Sequence, residues 1–227
     1  MKDTYSQFGQ DLYVADVLFQ GKKGGVFLDI GAHDGISLSN TYLLEKKHGW
    51  TGICIEALPE VFSKLIKSRD CICVNAAATR QGGEQVEFEK IDGYGEMLSG
   101  MVENYDPKHL ERISKEQEAH GFSTSRILVD TVSPADVLIE HGLTDVDYVS
   151  IDIEGGELGA LQGLMGKGIN IKVLGIENNY KDGTVKKFMK EHGYARFSRI
   201  KTDDFFKPEG EVSFIEQMTA SFRKVRN

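Results

Sequence analysis

The sequence predicts an α/β fold in which a doubly wound, mostly parallel sheet carries helices on both faces. Short apolar runs such as Val26–Ile30 and Asp147–Ile153 are typical of parallel strands that are buried on both sides. Stretches with helical spacing of apolar residues alternate with these runs. A repeated strand–helix order favours a parallel sheet with short, right-handed connections.

The first half of the chain predicts four strands and two helices. Ser37 is a good N-terminal cap for the first helix, and Val61 and Leu65 give the second helix a buried side. A Gly82-Gly83 pair predicts a tight turn before the last of these strands. The expected strands are Val26–Ile30, Thr51–Glu56, Cys71–Asn75 and Glu84–Glu89, and the expected helices are Ser37–His48 and Glu60–Ser68.

The strand–helix rhythm stops between residues 91 and 125. This stretch is polar, and its one helix candidate is Pro107–His120. Long segments that interrupt a regular fold are commonly functional. We therefore interpret 91–125 as an insertion or lid near the substrate site, within a single domain that spans residues 1–227.

The second half returns to alternation, with apolar runs separated by helical patterns. It ends in two further strand candidates. The expected strands are Ile127–Val132, Asp147–Ile153, Lys172–Glu177, Ala195–Ile200 and Val212–Ile215, and the expected helices are Pro134–His141, Glu157–Met165 and Thr184–His192.

Charge and composition exclude several classes of protein. The formal charge is −8, from 27 basic and 35 acidic residues, so the chain lacks the basic surface of a nucleic-acid binder. No apolar run approaches the ~20 residues of a transmembrane helix, and residues 1–11 are polar. Three cysteines without metal-site spacing are interpreted as small buried residues of a reducing compartment. We expect a cytoplasmic protein; its oligomeric state stays open.

The first strand ends in a glycine loop with acidic neighbours. Ligands of doubly wound sheets bind beyond the carboxyl ends of the strands, which makes Asp29, Gly31, His33, Asp34 and Gly35 candidate cofactor residues. The loop is not the G-x-G-x-x-G of dinucleotide sites, and its acids disfavour a pyrophosphate. They favour an ammonium or sulfonium group instead. A plain strand-to-helix turn is the alternative.

The next two strand ends carry polar residues suited to a nucleoside. Glu56 ends the second strand, and its carboxylate can accept both hydroxyls of a ribose. Ala57 follows it, and Asn75 ends the third strand where an adenine would lie. Glu56 as an exposed strand-end acid is the alternative. Together these strand ends fit S-adenosylmethionine better than a phosphate-rich cofactor.

A second acidic motif follows the strand Asp147–Ile153. Strand alternation would place Asp152 and Glu154 on one face, and Glu157 would lie in the first turn of the next helix. One carboxylate could act as a general base, or Asp152, Glu154 and Glu177 could hold a divalent metal. Glu177 ends the neighbouring strand, with Asn178 and Asn179 as substrate or turn residues. A solvated helix-capping cluster is the alternative.

Four motifs in order resemble the FkbM-like family of S-adenosylmethionine-dependent methyltransferases. They cover about two-thirds of the chain, and their combination is more specific than any one of them. They are Tyr5-Ser-Gln-Phe-Gly-Gln-Asp11, Phe27-Leu-Asp-Ile-Gly-Ala-His-Asp-Gly35 with Ser39-Asn-Thr41, Gly49-Trp-Thr-Gly-Ile-Cys-Ile-Glu56 and Ser150-Ile-Asp-Ile-Glu-Gly-Gly-Glu157. Ser150 departs from the pattern, because many relatives have lysine there.

The resemblance implies a Rossmann-like fold of the class I methyltransferase type and O-methylation of a sugar or natural-product hydroxyl. Asp29, Gly31 and Gly35 would line the methionine part of the cofactor, with Asp152 near the methyl donor. Residues 7–11 and Asn40 resemble polar residues on the cofactor side. The acceptor would be a small molecule or glycan. An NAD(P)-dependent reductase and a catalytically inactive binding module stay as alternatives.

Overall fold

A computed structural model describes residues 4–181 and 183–212 of the 227-residue chain. Its strands form two sheets. The strands are β1 (Val26–Ile30), β2 (Thr51–Glu56), β3 (Ile72–Asn75), β4 (Ala77–Ala78), β5 (Gln85–Ile91), β6 (Gly100–Met101), β7 (Thr124–Val132), β8 (Asp145–Ile151), β9 (Asn170–Glu177), β10 (Tyr194–Ile200) and β11 (Asp203–Pro208).

The larger sheet has seven strands in the order β10-β11-β9-β8-β1-β2-β3. The pairs from β3 across to β9 are all parallel, and β11 alone runs antiparallel between β9 and β10. The mostly parallel, doubly wound sheet expected from the sequence is confirmed. The order of strands reverses beside β1, so the carboxyl ends of β1, β2 and β8 meet at one crevice, where such sheets bind ligands.

Helices cover both faces of this sheet, as predicted. Strand alternation sends Leu28 and Ile30 into one apolar cluster and Phe27 into the cluster on the opposite face. The helices are α1 (Gln10–Leu12, continued as a π-helix over Tyr13–Leu18), α2 (Tyr42–His48), α3 (Pro59–Ser68), α4 (Pro107–His120), α5 (Pro134–Glu140), α6 (Glu157–Leu164) and α7 (Gly183–Glu191).

The smaller sheet, in the order β4-β7-β5-β6, carries residues 91–125. Strands β5 and β7 pair antiparallel from Gln85↔Asp130 to Ile91↔Thr124, so the two ends of this segment leave the sheet side by side. The helix predicted at Pro107–His120 is present with those bounds, and Asp106 caps it by accepting from the backbone N–H of Lys108. The segment thus has an ordered core of its own around Ile91 and Ile113.

Three predicted elements need correction. The strand predicted at Asp147–Ile153 is Asp145–Ile151, because the chain turns after Ile151. The helix predicted from Ser37 begins at Tyr42, because the Asp34 carboxylate accepts from the backbone N–H and the hydroxyl of Ser37 and holds a turn there. Of the predicted strand Val212–Ile215, Val212 lies in a bend and residues 213–215 fall outside the described residues.

Within the described part of the chain, every helix is too short or too polar to cross a lipid bilayer.

Replacing Leu28 by alanine tests the central strand. Leu28 lies in the middle of β1 with 0% of its surface exposed, so the change should leave a cavity and lower the free energy of unfolding by about 2–5 kcal/mol. The control is Leu128→Ala in β7, where the side chain is 62% exposed and the expected change is within about 0.5 kcal/mol. Urea denaturation followed by circular dichroism measures both, and equal losses would contradict the placement of β1.

Candidate functional site

A cleft with about 1150 Å³ of empty space, part of it open to solvent, lies at the carboxyl ends of β1, β2 and β8. Most residues predicted from the sequence line it. They are Asp29, Gly31, His33, Asn40, Glu56, Ala57, Asp152, Glu154 and Glu177.

Three predicted residues lie elsewhere and act on the local backbone. Asp34 accepts from the backbone N–H groups of Ile36 and Ser37, so it shapes the loop instead of facing the cleft. Gly35 packs against α3, where an added Cβ would lie 2.7 Å from the Arg69 side chain. Asn75 donates to the backbone carbonyls of Glu56 and Ala57 and so holds the end of β2 in place.

Gly31 lines the cleft, but its lack of a side chain is required by the neighbouring backbone and not by a ligand. Its φ of +84° is a conformation that favours glycine. A Cβ at this position would collide with the carbonyl oxygen of Asp152. The glycine therefore lets the ends of β1 and β8 approach each other, which brings the two sequence motifs into one site.

The Glu56 carboxylate is buried and turned toward the cleft. Its Oε2 accepts from the backbone N–H of His33 at 3.0 Å, and its Oε1 accepts from that of Leu58 at 2.8 Å. Burial raises the pKa of Glu56, and these backbone donors oppose that rise. A carboxylate has about four acceptor positions, so Glu56 keeps capacity for further donors such as vicinal hydroxyls.

The floor beside Glu56 is made of small and apolar residues. Ala76, Ala77 and Ala78 follow β3 and line the cleft, and Leu58 and Phe88 lie around them. Their side chains leave room for a flat ring and offer it apolar contact. Asn75, which was predicted to lie here, does not line the cleft; the three alanines after it line this part instead.

Asn40 presents an unsatisfied polar atom at the other end of the cleft. The side chain is 8% exposed, and its Nδ2 donates to the Ser150 hydroxyl at 3.0 Å. Its Oδ1 is buried and finds no hydrogen-bond partner among the residues that the structure describes. A buried acceptor of this kind is costly unless a ligand supplies a donor.

Asp29 next to it belongs to a buried ionic network that the sequence analysis missed. Its carboxylate accepts from the Thr41 hydroxyl and lies 3.9 Å from the Arg69 guanidinium. Burial raises the pKa of Asp29, and Arg69 opposes the rise. Arg69 sits in a charged stretch after α3 that shows no motif, so only the fold reveals it.

Asp152 and Glu177 form a hydrogen-bonded carboxyl pair at the ends of β8 and β9. Asp152 is open to the cleft and otherwise enclosed by protein atoms. Burial and the nearby carboxylate of Glu154 raise the pKa of both groups, that of Asp152 to about 7. Two carboxyl groups in hydrogen-bond contact hold one proton between them, and this pair shares it in the hydrogen bond between Asp152 and Glu177.

Glu154 is engaged by the segment 91–125 instead of standing free. Its two carboxylate oxygens lie 3.1 Å from Nη1 of Arg112 and 3.2 Å from Nδ1 of His109, both on α4. His109 is 1% exposed, and its Nε2 lies 3.0 Å from the Leu98 carbonyl oxygen. The hydrogen bond and charge of Glu154 help to raise the pKa of His109 against the opposing effect of burial. The pair attaches α4 to the turn after β8.

That turn is packed closely against the same segment. Glu154 has a φ of +45° and Gly155 a φ of +100°. A Cβ on Gly155 would lie 2.7 Å from the Asn104 carbonyl oxygen, and one on Gly156 would lie 3.0 Å from the Met101 side chain. Strained backbone that the surrounding structure holds in place is common at functional sites.

Positive φ values concentrate around the cleft. In the described residues six non-glycine residues adopt them, and three of the six, His33, Leu38 and Glu154, line the cleft. His33 also contacts Glu96 of the segment 91–125 at 3.0 Å through its Nε2. The strained residues therefore mark the same place as the sequence motifs.

The metal-binding alternative gains no support from the geometry. Across residues 4–181 and 183–212, no three His, Cys, Asp or Glu side chains are arranged to hold a metal ion. Asp152 and Glu177 bind each other, and Glu154 binds Arg112 and His109. The three carboxyl groups of the suggested metal site thus already interact with other protein groups.

The family of the chain follows from comparison with known proteins. Residues 29–195, which include the glycine loop, Glu56 and the second acidic motif, match the family model of the methyltransferase FkbM domain. The chain belongs to the FkbM methyltransferase family. A comparison with curated proteins returned no significant match.

Solved structures of methyltransferases resemble this FkbM chain in fold. Methyltransferase FkbM from Methylobacillus flagellatus KT is similar at a TM-score of 0.50 and 15% identity, over 89% of this chain and 48% of that one. The N-terminal domain of human METTL16, in complex with SAH, is similar at a TM-score of 0.46 and 12% identity, over 91% and 70%. This chain thus spans about half the length of the FkbM structure.

The Asp152–Glu177 pair of this FkbM domain predicts how stability depends on pH. Both pKa values are raised on folding, so the folded chain binds more protons above pH ~4, and the free energy of unfolding falls as pH rises. In Glu177→Gln the side-chain amide can still donate a hydrogen bond to Asp152, but it does not titrate. At pH 8 it should be more stable than wild type by about 1 kcal/mol, a figure reduced for solvent in the cleft.

At pH 4.5 the same variant should match wild type within about 0.5 kcal/mol. The control is Glu191→Gln on the exposed end of α7, which should change stability little at either pH. Urea titrations at the two pH values measure the difference. A Glu177→Gln gain that is equal at both would contradict the shared proton.

Proposed function

We propose that this chain is an S-adenosylmethionine-dependent O-methyltransferase that acts on a hydroxyl group of a sugar or natural-product acceptor. The observation that carries the proposal is the buried Glu56 carboxylate, which faces the cleft and keeps acceptor capacity beyond its hydrogen bonds to the backbone. A pair of ribose hydroxyls fits that arrangement. Membership of the FkbM family supports methyl transfer over nicotinamide-dependent reduction or an inactive binding module.

The residues of the cleft fit this cofactor along its length. Glu56 would accept the ribose hydroxyls, and Ala57 and Ala76–Ala78 would contact the adenine. The unsatisfied Oδ1 of Asn40 would accept from the ammonium group, with the charge of Asp29 nearby. When bound, the cofactor supplies an electrophilic methyl group. The chain's own contribution is to hold that group in line with the acceptor oxygen.

Asp152 is the proposed general base. It lines the cleft, and a pKa of about 7 lets it be ionised and still basic enough to take a hydroxyl proton near neutral pH. Glu177 positions it by the hydrogen bond between the two carboxyls. The acceptor's O–H proton would move to a carboxylate oxygen of Asp152 as the oxygen attacks.

Glu154 is the weaker of the two candidate catalytic acids. Arg112 and His109 occupy its two carboxylate oxygens, which leaves neither oxygen free to face an acceptor hydroxyl. We propose that its main contribution is to attach the segment 91–125 over the acceptor side of the cleft. In the single domain we propose for residues 1–227, this segment is the lid, since Glu96, Met97 and Arg112 line the cleft from it.

Other properties stay predictions from the sequence. The formal charge of −8 favours a small-molecule or glycan acceptor over a nucleic acid, and the cysteine content favours the cytoplasm. Metal assistance is open to test with a chelator, since only a metal-dependent reaction would lose activity. A screen of sugars, glycolipids and polyketide-like alcohols with labelled cofactor is the direct route to the acceptor.

Replacing Glu56 tests cofactor binding without knowledge of the acceptor. Glu56→Gln keeps the size of the side chain but places N–H donors where the backbone donors and the ribose hydroxyls need acceptors. Affinity for S-adenosylhomocysteine should fall tenfold or more, as expected for the loss of a charge-assisted hydrogen bond. Isothermal titration calorimetry measures it.

The matched control is Glu60→Gln on α3, a carboxylate that is 71% exposed and pairs with Lys90. Its affinity for S-adenosylhomocysteine should equal that of wild type. Absence of binding by the folded wild-type chain would end the methyltransferase proposal. Equal affinity of both variants would remove Glu56 from the cofactor site.

Replacing Asp152 and Glu154 one at a time distinguishes the proposed general base from the residue that attaches the segment 91–125. With an acceptor from the screen, Asp152→Asn should lower kcat by about 10²–10⁴-fold and leave S-adenosylhomocysteine affinity close to that of wild type. Glu154→Gln keeps hydrogen-bonding capacity and should mainly raise KM for the acceptor. The opposite ranking of kcat values would make Glu154 the base.

A further inference from the structure

Three cysteines form a cluster on the face of the sheet opposite the α5–α6 side, outside the cleft. Cys54 lies in β2, and Cys73 is its register partner in β3. Cys71 precedes β3, and its Sγ lies 3.5 Å from the Sγ of Cys54. The Sγ of Cys73 lies 3.6 Å from the backbone carbonyl oxygen of Cys71. All three are free thiols.

The three sulfurs differ in burial and in thiol pKa, so we expect them to differ in reactivity. Cys54 is fully buried, and burial raises the pKa of its thiol. Cys71 is half-buried, so part of this residue is open to solvent. The hydrogen bonds with the neighbouring thiols and the charge of the Arg69 guanidinium lower the pKa of Cys71 to about 5. Cys71 is therefore the sulfur of the cluster that ionises most readily, and the thiol of Cys54 is in contact with it.

A disulfide needs about 2.05 Å between sulfurs, so the present contact must shorten by roughly 1.5 Å. Cys71 stands two residues before Cys73, the register partner of Cys54, so the bond also needs a shift of the backbone at Cys71. Cys71 lies before the first residue of β3, Ile72, so it can shift without breaking the pairing of β2 with β3. Cys73 is fixed within that ladder and has a raised pKa, which makes it the less reactive neighbour.

We propose that Cys71 and Cys54 are a peroxide-sensitive pair that forms an intrachain disulfide. The Cys71 thiolate attacks one oxygen of hydrogen peroxide, the O–O bond breaks, and hydroxide leaves, which gives the sulfenic acid of Cys71. The Cys54 sulfur then attacks the Cys71 sulfur, the S–O bond breaks, and water leaves with the Cys54 proton. Two thiols are oxidised, and one peroxide is reduced to two molecules of water.

The bond would close a loop that borders the cofactor residues. The loop from Cys54 to Cys71 contains Glu56, α3 and Arg69. Crosslinking it removes freedom from the unfolded chain, so the oxidised protein should melt several degrees higher than the reduced protein. The proposal does not depend on the proposed methyl transfer, because the pair lies outside the residues that line the cleft.

The test is to treat the full chain with a small excess of hydrogen peroxide and map the product by mass spectrometry without reduction. Wild type should lose two hydrogens and yield one peptide that links residues 54 and 71, and dithiothreitol should reverse both changes. Cys73→Ser should react in the same way. Cys71→Ser and Cys54→Ser should yield no linked peptide, and Cys54→Ala replaces the latter should the buried hydroxyl prevent folding.

Several results would overturn the proposal. Three products would contradict a disulfide between Cys54 and Cys71 within one chain. They are a bond between residues 54 and 73, a disulfide between two chains, and Cys71 oxidised to the sulfinic acid with Cys54 unchanged. Unmodified wild type under conditions in which iodoacetamide alkylates Cys71 shows that the pair does not close. Circular dichroism of each variant before treatment verifies that the fold is intact.

Discussion

The edge of the cleft that is formed by the loop after β1 depends on one buried cation, the guanidinium of Arg69. None of its side chain is exposed. It donates to the Glu45 carboxylate, the Thr41 hydroxyl and the Gly35 carbonyl, and lies 5.2 Å from the centre of the Phe27 ring. Removing any partner of a buried charge leaves the rest uncompensated, which is strongly destabilising. The loop between β1 and α2 is therefore held as a unit, and that loop supplies Ser37 to Asn40 to the cleft.

The other edge of the cleft presents the opposite problem, an excess of negative charge. Asp152 and Glu177 line the cleft and have raised pKa values, and burial is the main cause for each. The two carboxyls share one proton, and Arg112 and His109 compensate the charge of Glu154 beside them. A bound ligand with positive charge would stabilise the ionised form of Asp152, which is the electrostatic reason for proposing a sulfonium cofactor.

The sequence predicted those parts of the structure that depend on local pattern. Buried parallel strands are continuous apolar runs, so β1 and β2 were predicted with their observed bounds, and α4 has Pro107 and Gly121 to mark its ends. The turn after β8 was not predictable in this way, because Asp152-Ile153-Glu154 alternates like a strand while the backbone leaves the sheet. β11 was missed, since its buried Asp203 and Asp204 read as a loop until their partners on distant segments are known. Arg69 and His109 likewise acquire their roles only through tertiary contacts.

The tight contact between the turn 154–156 and residues 100–109 has a consequence for exchanging parts between relatives. The turn has no side-chain atoms at Gly155 and Gly156, where the backbone of Asn104 and the side chain of Met101 press against it. A foreign segment 91–125 grafted onto this chain would meet a surface shaped for another one, and a foreign turn would collide with this segment. The turn 154–156 and the segment 91–125 are therefore complementary in shape. A chimera designed to change the choice of acceptor has to transfer both together.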